Sequence, residues 1–263
     1  MKIAIDAGHG LYTSGKRCLK KLDPNETREW TLNSRIATQV VDHLERCGAE
    51  CIRLDDPTGK TDVPLATRTS KANAEKADYC VSIHHNAGIN GGSGGGPVVF
   101  VYSGSHSAKS DQLQKNVYDG LIAAVGKFGN RANPLAGSNL WMCRKTNMPA
   151  ILVEVGFMDS TVDTPLILDA DWAARAAEGI AKGICKTAGI QWVEEQQSTD
   201  YLVRINTASL NVRKGPGVSY AVSTTVKRGE VFTIVEEAMN GSTKWGKLKS
   251  GAGWISLGYT ERV

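Results

Sequence analysis

The sequence predicts an α/β domain, with a largely parallel sheet flanked by helices, followed by a second, small all-β barrel domain. Three observations carry that expectation. Short apolar strands alternate with amphipathic helices over about 190 residues, the pattern of a parallel sheet covered on both faces. The stretch Glu194 to Asp200 is polar and has no period. After it, short strands follow one another at close spacing with turn residues between them. The expected division is therefore a domain over 1–191, a linker over 192–200 and a second domain over 201–263.

A chain of 263 residues can build one full core plus a smaller one. With 41% hydrophobic and 22% charged residues it reads as soluble and globular. No apolar run approaches the roughly 20 residues of a membrane span, so no membrane insertion is expected. The start lacks a basic n-region and an apolar h-region, which predicts no signal peptide and synthesis in the cytoplasm. Six cysteines are scattered without a CxxC pair and are expected to be reduced structural thiols. Net charge is +4, and its surplus sits at the end: residues 201–263 carry nine Lys/Arg against four Asp/Glu.

Lys2 to Asp6 is the first strand, with Ile3 and Ile5 on one face, and it runs into Ala-Gly-His9-Gly10. The glycines let the chain turn sharply and leave an imidazole at the strand's end, where ligands collect in open α/β sheets. After a polar loop, Asp23-Pro24-Asn25-Glu26 reads as a helix start, with Asp23 as N-cap, Pro24 at N1 and Glu26 closing a capping box. The helix runs to about Arg46 on the stripe Leu32, Ile36, Ala37, Val40, Val41 and Leu44. At about 100° per residue Glu29 lies about 20° from Ile36, whereas Glu26 lies about 80° away. Glu29 therefore faces inward, where a carboxylate needs a compensating partner.

Gly48 ends that helix, Glu50 to Leu54 is the next strand, and Pro64 to Ala77 the next helix. Ala77 to Asn86 repeats the opening pattern, an apolar strand that ends in His84 and His85; alternation turns the two rings to opposite faces. The glycine-rich run Gly91 to Gly96 is a surface loop, since no Lys-Ser/Thr and helix follow to make a phosphate cradle. Pro97 to Tyr102 is a strand, Ser107 to Val125 a helix, and Leu140 to Cys143 the start of a further edge. In Pro149 to Phe157, Glu154 interrupts an apolar run and so is a second buried acid. Trp172 to Ala188 is the last helix of the first domain. In the second domain the strands are expected at 202–205, 210–212, 231–235, 245–248 and 253–255. A barrel that small needs about two of Trp245, Trp254 and Tyr259 in its core.

His9, Glu29 and His84 together make two imidazoles and one carboxylate, with the fourth position left to water. That is the ligand set of a catalytic zinc site, because a structural one is closed by four protein groups. Zinc brings the pKa of bound water down to roughly 7 and polarises a carbonyl, and Glu154 near that water would be its general base. His43, on the polar side of the first helix, and His106, in a loop, lie outside this set.

Four motifs then resemble, in order, the zinc-dependent N-acetylmuramoyl-L-alanine amidases of the Amidase_3 type: IAIDAGHG, EWTLNSRIA, LATRTSKANAEKADYCVSIHHNA and MPAILVEVGF. The resemblance implies zinc ligands at His9, Glu29 and His84 and a catalytic glutamate at Glu154. It departs at Leu11 to Gly15, after the first motif, and at His85, where a small residue is common; both bear on substrate contacts rather than on the metal. Leu210-Asn-Val-Arg-Lys-Gly-Pro-Gly217 and Gly253-Trp254-Ile255 resemble a bacterial SH3-like (SH3b) domain. In wall hydrolases such domains hold the enzyme on peptidoglycan, and the basic surplus would favour anionic wall polymers, with attraction screened by salt.

The implied activity is hydrolysis of the amide between N-acetylmuramic acid and L-alanine. A wall-binding module without an export signal resembles phage endolysins, released to the wall when a holin opens the membrane. The alternatives are a host autolysin of the same activity, a zinc peptidase on the stem peptide, and a non-catalytic wall-binding protein. No nucleic-acid motif accompanies the basic stretch.

Overall fold

The computed structural model describes residues 1–194 and 200–263. It divides into two compact units, 1–195 and 196–263. The core of the expected linker, residues 195–199, lies outside the described residues.

The first unit runs β1 (Lys2–Ala7), α1 (Glu29–Arg46), β2 (Glu50–Arg53), α2 (Leu65–Ala74), β3 (Tyr79–Asn86), β4 (Val98–Tyr102) and α3 (Ala108–Val125). It continues with β5 (Leu135–Ser138), α4 (Trp141–Arg144), β6 (Ala150–Phe157), α5 (Asp163–Leu168) and α6 (Ala170–Ala188). The six strands lie in the order β2-β1-β3-β6-β4-β5. Pairing is parallel except between β4 and β6. Period-two alternation divides the strand residues between two faces. Ile3, Ile5, Val81, Ile83, Ile151 and Val153 share a core with Leu32, Ile36, Leu113, Leu121 and Ile180 from α1, α3 and α6. Ala4, Cys80 and Ala150 pack on the other face with Ala72 and Met142, from α2 and α4. The result is three layers, helices on either side of one sheet. All six cysteines are free thiols.

Because β2 and β3 flank β1 on opposite sides, the chain changes direction across the sheet at β1 and β3. At such a switch point the loops leave a crevice outside the carboxyl ends of the strands. The His9 turn follows β1, and His84 and Glu154 stand near the ends of β3 and β6.

Three local expectations change. The helix does not start at Asp23. Its carboxylate accepts from the backbone N–H groups of Asn25 (3.1 Å) and Thr27 (2.6 Å), which closes a turn. Glu26 takes the left-handed conformation (φ 48°) and pairs with Arg17 at 3.1 Å, so it cannot continue a helix or close a capping box. Residues 141–144 form a helical turn rather than a strand, and the edge strand is β5, just before it. The short α5, with Pro165 in its first turn, was not expected.

The second unit is antiparallel throughout: β7 (Tyr201–Ile205), β8 (Ser209–Arg213), β9 (Val222–Lys227), β10 (Val231–Asn240), β11 (Thr243–Leu248), β12 (Trp254–Ser256) and β13 (Thr260–Arg262). The order is β13-β7-β10-β11-β12-β8-β9. Its own core is Val203, Ile205, Leu210, Val212, Val226, Ile234, Leu248 and Ile255. Trp245 and Trp254 are buried, while Tyr259 is 54% exposed. β9 and β13 went unpredicted because Val226 alone is buried in the former and the latter is Thr-Glu-Arg, so neither shows alternation.

Candidate metal centre

Gly8 and Gly10 explain the turn that carries His9. A Cβ on Gly8 would fall 2.0 Å from the His84 ring, and one on Gly10 would fall 2.9 Å from the backbone of Asp62. Each glycine lets a neighbour approach on one side of His9, which itself adopts φ 67°. The two imidazoles meet edge to face, centroids 5.0 Å apart.

Glu29 is the first residue of α1 and is 1% exposed. Its backbone N–H donates to Lys16 O at 3.1 Å, which ties the helix start to the loop after His9. Its Oε1 stands 3.3 Å from His9 Nε2 and 3.1 Å from His84 Nδ1. Oε2 is buried without a hydrogen bond, and the Lys16 ammonium is 3.6 Å away. Burial alone would raise the Glu29 pKa, but hydrogen bonds from His84 and His9 outweigh it and hold the carboxyl well below its usual range. His84 also loses by burial, yet its bond to Glu29 and the nearby Glu154 raise it. Among the described residues, His9, Glu29 and His84 are the one group of three or more His, Cys, Asp or Glu whose ligand atoms all lie within 4.8 Å of one another.

Glu154 is the lateral partner of His84 across the parallel pair β3–β6, so both side chains leave the sheet on the same face. Its Oε2 is buried and unpaired, and burial pushes its pKa up to about 7 against the pull of His84. Two recesses open here. One, of about 290 Å³, is lined by Asp6, His9, Asp62, Leu65 and His84; the other, of about 310 Å³, by Ser14, Lys16, His85, Asn86 and Glu154.

His85 leaves the opposite face of β3, as alternation requires, and its ring is 2% exposed. Its backbone N–H lies 3.3 Å from Glu29 Oε1, so the residue touches the cluster through its main chain. Asn33 links these groups and was missed in the sequence. Its Nδ2 donates to Gly8 O at 3.0 Å and lies 3.4 Å from Glu29 Oε1. That orientation leaves Asn33 Oδ1 to accept from His85 Nδ1 at 2.7 Å. His85 is kept neutral by burial, with its pKa down to about 3. The signal for Asn33 was its spacing: four residues after Glu29, it shares that residue's face of α1. His43 packs against Trp192, and His106 bonds Asp111 at 2.8 Å; neither joins the cluster.

The second unit carries a groove of about 960 Å³, bordered by Thr207, Asn211, Arg213 and Lys244, with Trp245 and Tyr259 beside them. It contains no histidine and no acid.

Comparison with known proteins bears on both units. Residues 208–261 match the bacterial SH3 domain family. An endolysin of Bacillus phage SPP1 is 29% identical over 270 residues, 94% of this chain and 92% of that one. A sporulation-specific N-acetylmuramoyl-L-alanine amidase of Bacillus subtilis is 31% identical over 70% of this chain and 67% of its own length. Among solved structures, the N-acetylmuramoyl-L-alanine amidase AmiC2 of Nostoc punctiforme superposes with a TM-score of 0.63 at 28% identity, over 72% of this chain and 97% of that one. The family model for these amidases, Amidase_3, matches residues 3–186, the span that delivers both histidines and both buried glutamates. By that match this chain belongs to the N-acetylmuramoyl-L-alanine amidase family.

Proposed function

We propose that the chain is a zinc-dependent peptidoglycan hydrolase that cuts the amide between the lactyl group of N-acetylmuramic acid and L-alanine, with His9, Glu29 and His84 as zinc ligands and Glu154 as the catalytic group. One observation carries the reading. Donors from three distant parts of the chain converge, with His9 Nε2 and His84 Nδ1 at 3.3 and 3.1 Å from Glu29 Oε1, while the buried Oε2 of the same carboxylate has no hydrogen bond. Two nitrogens and one carboxylate fit zinc with a position to spare. When bound, the ion would polarise the scissile carbonyl and lower the pKa of water.

The chain's own residues do the rest. Asn33 and the backbone N–H of His85 orient Glu29, as outer partners do for metal ligands. Glu154, at about 7, can take a proton from water at neutral pH and return it to the leaving amine, and its free Oε2 is the atom available for it. Two recesses, one lined by His9 and His84 and the other by Glu154, suit the two arms of a substrate that extends away from the cut bond. Digestion of purified walls tests the bond assignment. L-alanine is the expected new amino terminus, and any other residue there would make the enzyme a peptidase.

The bacterial SH3 unit holds the enzyme on the wall, and its surplus of Lys and Arg favours anionic wall polymers such as teichoic acids. Similarity to the SPP1 endolysin along both units supports a role in phage lysis. In that role the protein is made in the host cytoplasm and reaches the wall once a holin opens the membrane. The likeness to a Bacillus subtilis amidase favours a host autolysin as the second reading. Cells expressing the chain alone should stay intact until their membrane is permeabilised; lysis without that step would remove the holin-dependent route.

A further inference from the structure

Arg68, on α2, is 1% exposed, and all five of its N–H groups have acceptors. Nε donates to Val63 O at 2.8 Å. Nη1 donates to Asp6 Oδ1 and to Ala7 O, both at 2.7 Å. Nη2 donates to His9 O at 2.9 Å and to Asp62 Oδ1 at 3.1 Å. Three of the five acceptors therefore belong to the end of β1 and the turn that presents His9.

That turn needs holding. A residue other than glycine at φ 67° is in a sparsely populated conformation and persists only where its surroundings over-determine it. Gly8 is fixed on one side, its N–H to Ile83 O at 2.9 Å and its carbonyl to Asn33. Arg68 fixes the His9 carbonyl on the other. Asp62 closes the ring: its Oδ2 accepts from Thr13 Oγ1 at 2.7 Å, and that hydroxyl accepts from Gly10 N at 2.9 Å. The second carboxylate on Arg68, Asp6, is 1% exposed and is itself held by Ser82 Oγ at 2.6 Å. A lysine has neither the fork nor five donors and could not satisfy this set.

We infer that Arg68 is a positioning residue: by fixing His9 in its left-handed conformation it sets the affinity of the His9, Glu29 and His84 centre for its divalent ion. The inference rests on the reading of those three residues as ligands. Without the clamp, His9 relaxes toward ordinary φ values, and the ion must then supply the free energy that orders it.

The experiment measures zinc affinity of the full chain by competition with a chromophoric chelator, for the wild type, Arg68→Lys and Arg68→Met. Both variants are expected to bind zinc about 10- to 100-fold more weakly. Saturating zinc should restore kcat with KM for walls unchanged. Leu121→Ala, in the α3 core, separates this from lost stability: its Tm should fall while its zinc affinity stays at the wild-type value. Should both Arg68 variants fail to fold, Asp62→Ala, at the exposed end of the clamp, is expected to lose affinity at the low end of that range, about 10-fold.

A folded Arg68→Met or Arg68→Lys with wild-type affinity overturns the inference. So does an equal loss in Leu121→Ala or, where neither Arg68 variant folds, wild-type affinity in Asp62→Ala. A wild-type chain that binds no zinc would instead sink the metal-centre reading itself.

Discussion

The groove of the second unit, about 960 Å³, is larger than either of the two recesses of the first, about 290 Å³ beside His9 and His84 and about 310 Å³ beside His85 and Glu154. The groove is bordered by hydroxyls, aromatics and two cations, and one of these, Lys244, is paired with Glu237 at 2.9 Å. At the strand ends of the first unit, buried acids and imidazoles face each other and leave the Oε2 atoms of Glu29 and Glu154 without a hydrogen bond. Reactive sites are marked by this unresolved polarity, which the fold must hold at a cost in stability, and not by volume. A binding surface has no need of it.

The comparison breaks most readily at Glu154. Glu154→Ala should lose about 10²- to 10⁴-fold in kcat while zinc content stays unchanged. An active variant would remove the assigned proton carrier. Glu154→Gln sharpens the point in the metal-free protein. A carboxyl raised from 4.5 to about 7 on folding costs no stability below the lower value, progressively more between the two, and the full penalty above the upper one. The Gln variant should therefore be more stable than the wild type at pH 8, and the difference should vanish by pH 4, as thermal unfolding at the two pH values would record.

Asn33→Ala is the next largest effect. It removes a group that orients Glu29 and leaves His85 Nδ1 without its acceptor. Zinc affinity should drop about 10- to 100-fold with little change in kcat at saturating metal. Unchanged affinity would make Asn33 a packing residue only. The smallest effect belongs to the second unit. Wall binding of a chain inactivated at Glu154 should weaken as salt rises from 0.05 to 0.5 M, over which the Debye length falls from roughly 14 to 4 Å. Binding indifferent to salt would exclude anionic polymers as its main partner.

Much of this was legible in the sequence, and the exceptions share a cause. Helical period singled out Glu29 over Glu26, and Glu29 is the glutamate buried beside both histidines. Strand alternation sent His84 and His85 to opposite faces, and its break in an apolar run marked Glu154 as a buried acid, whereas its place beside His84 is set by the β3–β6 pairing. Period and alternation are local, so a sequence carries them. Asp23 looked like a helix cap because its residue type suits one, but its carboxylate closes a turn onto Thr27, and the N-cap position of the helix is Arg28. Asn33 shares a helix face with Glu29, but its bonds to Gly8 and His85, like those of Arg68 to Asp6 and His9, join residues 25 to 62 positions apart, and no spacing rule reports such contacts. β9 and β13 were missed because edge strands exposed to water need little hydrophobic alternation.

The most direct test of the central claim is the metal content of the purified chain and of His84→Ala, read by elemental analysis after zinc loading and desalting. One zinc per wild-type chain, removed by chelator together with all hydrolysis of walls, and little or none retained by His84→Ala, is the predicted result. A wild-type enzyme that digests walls with no bound metal, or a His84→Ala chain that keeps its full equivalent of zinc, would contradict it.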